Sequence, residues 1–139
     1  MLFRSIAYYR NNFRPSTTLQ QPYVIVGANV FAAPTRAEGE YLASSHRQWV
    51  SRLYAGKPGP LPRPEEGYME RLAERDRYSL AQAMACTAVG DQDDVGSWLR
   101  QFIDTTQADE VIIDARIYDP QARCRSYQLA AESIADLLD

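Results

Sequence analysis

Asp114, Arg116 and Tyr118 are spaced two apart at the end of the apolar run Val111-Ile112-Ile113. Residues two apart in an extended segment share a face. An acid, a guanidinium and a phenol are therefore expected to point one way at a strand end. Turned inward, they form a polar mouth able to meet a substrate or a planar ligand ring. The plainer alternative is an internal Asp114–Arg116 ion pair or a solvated strand end, because charged side chains near an interior often pair structurally. Asn29 and Phe31 end a second apolar run, Tyr23 to Phe31. Asn29 could contact a ligand or satisfy a neighbouring backbone group. These five residues form the candidate cofactor-binding or substrate-facing set, and no catalytic residue is assigned among them.

His46 is the only histidine, which leaves no room for a several-histidine metal site or a two-histidine scheme. It could serve as a general base. It also falls on the helical stripe Leu42, His46, Trp49 and Leu53. A helix of that kind is expected to pack outside the strands, away from the site, with the ring buried and one nitrogen hydrogen-bonded. Val89-Gly90-Asp91 opens another helix, where free N–H groups could gather an anion. Asp91, Asp93 and Asp94 in that first turn would repel a phosphate and suit capping better. Cys86 and Cys124 form no C-x-x-C pair and are expected as reduced, buried small hydrophobes. The chain has no Gly-rich nucleotide loop, nucleophile elbow or metal-ligand cluster.

The elements that must hold these residues can be read from patterning. A helix over Ile6 to Phe13 ends before Pro15. Tyr23 to Phe31 is almost continuously apolar, as in a parallel strand covered on both faces. Thr35 with Glu38 predicts a capping box for the next helix, and Gly56 its stop. Residues 57–64, KPGPLPRP, predict an extended loop, either a lid or a proline-stiffened surface segment. Short helices are expected over Glu66 to Asp76 and Leu80 to Cys86. Asp91 caps a helix with the stripe Val95, Trp98, Leu99, Phe102 and Ile103. A second strand, also buried on both faces, runs from Val111 toward Ile117. Asp119-Pro120 starts the last helix, with Tyr127, Ala130, Ala131, Ile134 and Leu138 on one face.

The 139 residues suit one domain, and 45% hydrophobic with 24% charged residues predicts a globular chain. The net charge of -3, with scattered basic residues, argues against nucleic acid. The N-terminus, Met1 to Asn12, has no apolar run long enough for a signal peptide or membrane span, so a cytoplasmic location is the default expectation. The order is a helix followed by two β-α units. Two strands cannot close a barrel, so they pair with another chain or with strands upstream.

An ordered set of segments resembles the C-terminal region of luciferase-like, flavin-dependent monooxygenases and oxidoreductases. It runs from Tyr9-Arg10 and Phe13-Arg14-Pro15-Ser16 through Pro22 to Ala33 and Gly56 to Pro62. It continues with Val89-Gly90, Ala108-Asp109-Glu110 and Ile117-Tyr118-Asp119, then Arg123, Arg125-Ser126-Tyr127 and Leu129 to Glu132. The resemblance implies an α/β fold: a partial (β/α)8 TIM barrel comprising the last two β-α units, a preceding helix and an inserted loop with helices. Residues 1–139 would be a single C-terminal fragment of that barrel domain. It further implies FMN, or a deazaflavin, as cofactor and a small organic substrate oxidised with O2. The main flavin-phosphate contacts would lie upstream, so the chain is expected to be inactive alone. A non-catalytic module that self-associates through exposed strand edges is the alternative. Leu2-Phe3-Arg4-Ser5 also matches the translated tail of a sequencing adapter, a further reason to expect upstream sequence. Two departures fall near the expected site. Pro120 stands where the family pattern has His, and Asp114-Ala115-Arg116 replaces small hydroxyl or amide residues.

Overall fold

The structure, a computed structural model, describes residues 2–137. Its centre is β1 (Ile25–Ala32), which lies between two parallel partners, β2 (Thr87–Gly90) and β3 (Glu110–Asp114), in the order β2-β1-β3. β3 pairs with the first part of β1, from Ile25–Glu110 to Asn29–Asp114. β2 pairs with the second part, from Asn29–Thr87 to Ala32–Gly90. Asn29 is thus the point where the two pairings meet. The helices are α1 (Leu2–Asn12), α2 (Arg36–Tyr54), α3 (Tyr68–Arg71), α4 (Glu74–Ala83), α5 (Gln92–Thr106) and α6 (Pro120–Ser133), followed by a short 3-10 turn.

Alternation along β1 divides the core. Val26, Ala28, Val30 and Ala32 are buried on one face. They pack against Phe102, Leu99 and Val95 of α5, Leu129, Ala130 and Ile134 in and after α6, and Ile6 of α1. The opposite face changes along its length. Ile25 is 51% exposed and Gly27 is exposed, whereas Phe31 is fully buried beneath Leu42 and Ala43 of α2. α2 therefore covers only the C-terminal end of this second face.

The three caps form, but the box expected at Thr35 and Glu38 is only half made, without the return bond from Glu38. The Thr35 side chain accepts from the Glu38 N–H, Asp91 and Asp94 form a full capping box, and Asp119 accepts from the Ala122 N–H with Pro120 at the helix start. Gly56 follows α2 with φ +70°, and the amides of Gly56 and Lys57 return to Leu53 O and Arg52 O.

Other expectations are corrected. The sheet has three strands, not two, because Thr87–Gly90 pairs with β1. The two strands expected to be buried, β1 and β3, are not covered on both faces, since Ile25 is half-exposed and Ile112 is 61% exposed. The break between the middle helices falls at Leu72 and Ala73, both extended, so α4 joins two segments expected to be separate. α6 buries Ser126, Leu129 and Ala130 and leaves Tyr127 and Ala131 exposed, so its inner face is displaced from the expected one. Leu138 lies outside the described residues. Cys124 is exposed and Cys86 half-buried, and both are free. Among the described residues, no helix is long and apolar enough to cross a membrane.

Candidate functional site

The C-terminal ends of β1 and β3 and the face of α2 above them gather most of the residues with chemical potential. Phe31 projects from β1 into a layered stack. Its ring lies 5.7 Å from the His46 ring at 26°, and His46 lies 6.0 Å from Trp49 at 13°. The Arg116 guanidinium sits 5.0 Å from the Trp49 ring centroid. Arg116 Nε also donates to Asp114 Oδ2 at 2.9 Å. Both partners are about half-exposed, so this ion pair contributes little stability by itself. It does hold the cation in place over the indole.

The two-residue period expected after β3 is present. Ala115 and Ile117 are buried, while Arg116 and Tyr118 are exposed and Asp114 is half-buried. The Ala115 N–H donates to Tyr127 Oη at 3.0 Å, which ties this segment to α6. Tyr118 stands apart from the stack and meets Arg63 instead, whose guanidinium carbon is 5.7 Å from its ring centroid. Asn29 Nδ2 donates to Thr87 Oγ1 at 3.3 Å, a cross-strand bond that answers the polar side chain locally.

His46 joins the candidate set although its stripe predicted a helix outside the strands. The correction follows from where α2 packs: it lies on the same face of β1 as Asn29 and Phe31, opposite α5 and α6. The ring is buried as expected, at 5% exposure, but its Nδ1 has no hydrogen-bond partner. Burial pushes the imidazole pKa down to about 4; the Arg116 charge adds to this, Asp114 opposes it, and Arg47 contributes least. The ring is therefore neutral at pH 7, able to accept or donate one hydrogen bond. The available signal was that a lone histidine interrupts an otherwise apolar stripe.

The N-terminus of α5 is filled by its own carboxylates. Asp94 accepts from the Asp91 N–H and also pairs with Arg36, which holds its pKa below the usual carboxylate range. Asp91 and Asp94 thus cap the helix, Asp94 also pairs with Arg36, and Asp93 adds a further negative charge to the first turn.

Comparison with known proteins gives these strands a context. No family model matches the chain. A luciferase-like monooxygenase of Escherichia coli (strain K12) is 35% identical over 138 residues, 99% of this chain and 41% of that protein. The chain is homologous to luciferase-like monooxygenases and matches a C-terminal part of them. The protein YvbT of Bacillus subtilis (strain 168) is 32% identical over 128 residues, 92% of this chain and 38% of that protein. The crystal structure of apo-MsnO8 superposes with a TM-score of 0.74 and 26% identity, covering 96% of this chain and 41% of that one. The chain thus spans 41% of the length of the first of these luciferase-like relatives.

Proposed function

We propose that the chain is the C-terminal part of an FMN-dependent, luciferase-like monooxygenase, with its strands belonging to a (β/α)8 barrel. In the whole enzyme it would act in the cytoplasm on a small organic substrate with O2. The observation that carries this reading is the contrast between the two faces of the sheet. α1, α5 and α6 cover one face, while Ile25, Gly27 and Ile112 lie bare on the other and α2 caps only its far end. Parallel strands with a bare apolar face and unpaired edges call for further strands. A barrel supplies them, and its chemistry gathers at the C-terminal strand ends. Those are the ends that carry Asp114, Arg116 and Tyr118.

The residues present suit the ring of a flavin. Gly27 lies between Ile25 and Asn29 on the bare face, and a Cβ there would meet nothing within 4 Å. The resulting apolar ground accepts a planar ring. Ile25, Gly27, Asn29 and Ile112 would hold the isoalloxazine, and Asp114, Arg116 and Tyr118 would face the substrate. Bound reduced flavin supplies the electrons for reaction with dioxygen. Ile25 and Ile112 exclude water from the ring, and the Asp114–Arg116 pair sets the polarity of the mouth. The carboxylate-filled start of α5 is unsuited to the flavin phosphate, which this reading assigns to strands upstream. The 139 residues alone should therefore show no turnover.

Titration with FMN, followed by flavin fluorescence with light scattering on the same sample, tests the reading. Saturable binding that Gly27→Val abolishes supports it. Binding indifferent to Gly27→Val, or no binding, counts against a ring site on this face. Flavin-dependent turnover by this chain alone would contradict its assigned inactivity.

A second reading also has a specific observation behind it. Tyr23, Ile25 and Ile112 are all exposed, and β2 and β3 each leave an outer edge unpaired among the described residues. Such surfaces favour association, as in a non-catalytic dimerising or assembly module. A discrete flavin-free dimer would support that alternative.

A further inference from the structure

The segment after α2 holds an arginine whose charge no carboxylate answers among the described residues. Residues 57–67 run beside α2 and are tied to it at three points. Trp49 Nε1 donates to Gly59 O at 3.0 Å, Gln48 Nε2 to Arg63 O at 2.9 Å, and the Glu65 N–H to Ser44 Oγ at 2.7 Å. Gln48 and Ser44 are themselves 4% and 2% exposed. Pro62 and Pro64 flank Arg63, and their rings restrict the backbone on both sides. A buried amide thus holds an exposed residue by its own carbonyl. This anchoring fixes the Arg63 backbone, and its guanidinium lies beside Tyr118, a residue 44% exposed.

Three nearby arginines are matched: Arg116 with Asp114, Arg71 with Glu65, and Arg47 with Glu40. Among the described residues, Arg63 has no ion-pair partner, and Glu65, two positions on, pairs with Arg71 instead. A guanidinium presents a planar fork that fits a carboxylate or phosphate with two bonds. The guanidinium lies over one face of the Tyr118 ring, and the exposed remainder of that side chain can meet a flat ring. We propose that Arg63 and Tyr118 form a recognition subsite for the anionic group of a planar ligand at the strand-end mouth. The chemistry is an oxyanion carried on an aromatic plane; a substrate carboxylate is the source consistent with a flavin phosphate held upstream, and the test separates the two. The subsite rests on the barrel reading only in taking this end of the strands as the mouth.

Calorimetric titration of the chain with two matched pairs tests the subsite: 2-naphthoate against neutral 2-naphthylmethanol, and FMN against riboflavin. At least one anion should bind about tenfold or more tightly than its neutral partner. Arg63→Gln should erase that preference. Arg63→Lys should keep part of it, and Arg123→Gln, a surface control, should keep all of it. Loss confined to naphthoate assigns the subsite to a substrate carboxylate; loss confined to FMN assigns it to the phosphate. Survival of every preference in Arg63→Gln, or no preference in the unaltered chain, overturns the proposal. An Arg63-dependent naphthoate preference without flavin binding would sink the flavin reading and leave the subsite standing. Flavin binding with no Arg63-dependent preference in either pair does the reverse.

Discussion

The Arg116 guanidinium lies 5.0 Å from the Trp49 ring centroid, which places a permanent cation one aromatic layer from the only histidine. Phe31 closes the other side of that histidine. A protonated His46 would face both low-polarity surroundings and a like charge, and each disfavours it.

That arrangement gives a titration to measure. The single histidine resonance should titrate near 4 in the folded chain, against 6.5 for an unperturbed ring. Arg116→Gln should raise the midpoint and Asp114→Asn should lower it. Between the two values the unfolded chain binds more protons than the native one. The stabilisation is therefore complete above 6.5 and is lost as pH falls through this window toward 4. At the limit the loss is roughly 3 kcal/mol. In urea melts from pH 7 to 4, His46→Phe should flatten this part of the stability curve. An unchanged slope in the variant would contradict the assignment.

Ser126 completes β1 where β3 stops. Beyond the Asn29–Asp114 pair, the Ala32 N–H donates to Ser126 Oγ at 2.9 Å, and Ser126 Oγ donates to Val30 O at 3.4 Å. Ser126 is fully buried, so no water can replace its hydroxyl. Ser126→Ala leaves a buried backbone donor unpaired and should cost about 1–3 kcal/mol in urea unfolding. It should also speed hydrogen exchange at Ala32.

Gly39 lets α2 rest on the end of β2. A Cβ at Gly39 would lie 2.7 Å from Gly90 O and 2.8 Å from Gly90 N, both backbone atoms that cannot turn aside. Gly90 itself has φ +144°, which leaves it little freedom to be replaced. Gly39→Ala should therefore cost about 1–3 kcal/mol through forced separation of helix and strand. Gly59→Ala, where a Cβ meets nothing within 4 Å, is the control and should be close to neutral. A thermal melt of each variant suffices; equal midpoints for the two would show that the helix gives way without cost.

Much of the local structure was legible because its causes are local. The caps at Thr35, Asp91 and Asp119 act within one turn, and a side chain meets its backbone partner three residues on. The buried-exposed alternation from Ala115 to Tyr118 was equally readable, since it needs only extended backbone and one buried face. β2 escaped notice because four residues are too few to show a period; only pairing with Asn29 to Ala32 makes them a strand.

The sequence by itself determined the helix boundaries that depend on caps, the presence of β1 and β3, the five strand-end candidates and the likeness to luciferase-like monooxygenases. Tertiary structure alone decided which face of β1 receives α2, and with it that His46 joins Phe31, Trp49 and Arg116. It also decided that Arg63 reaches Tyr118 and that Ser126 answers Ala32. The physical reason is that periodicity encodes which side of an element avoids water, but not what covers it. Contacts between residues dozens of positions apart depend on how whole elements share a core, and no local pattern carries that information.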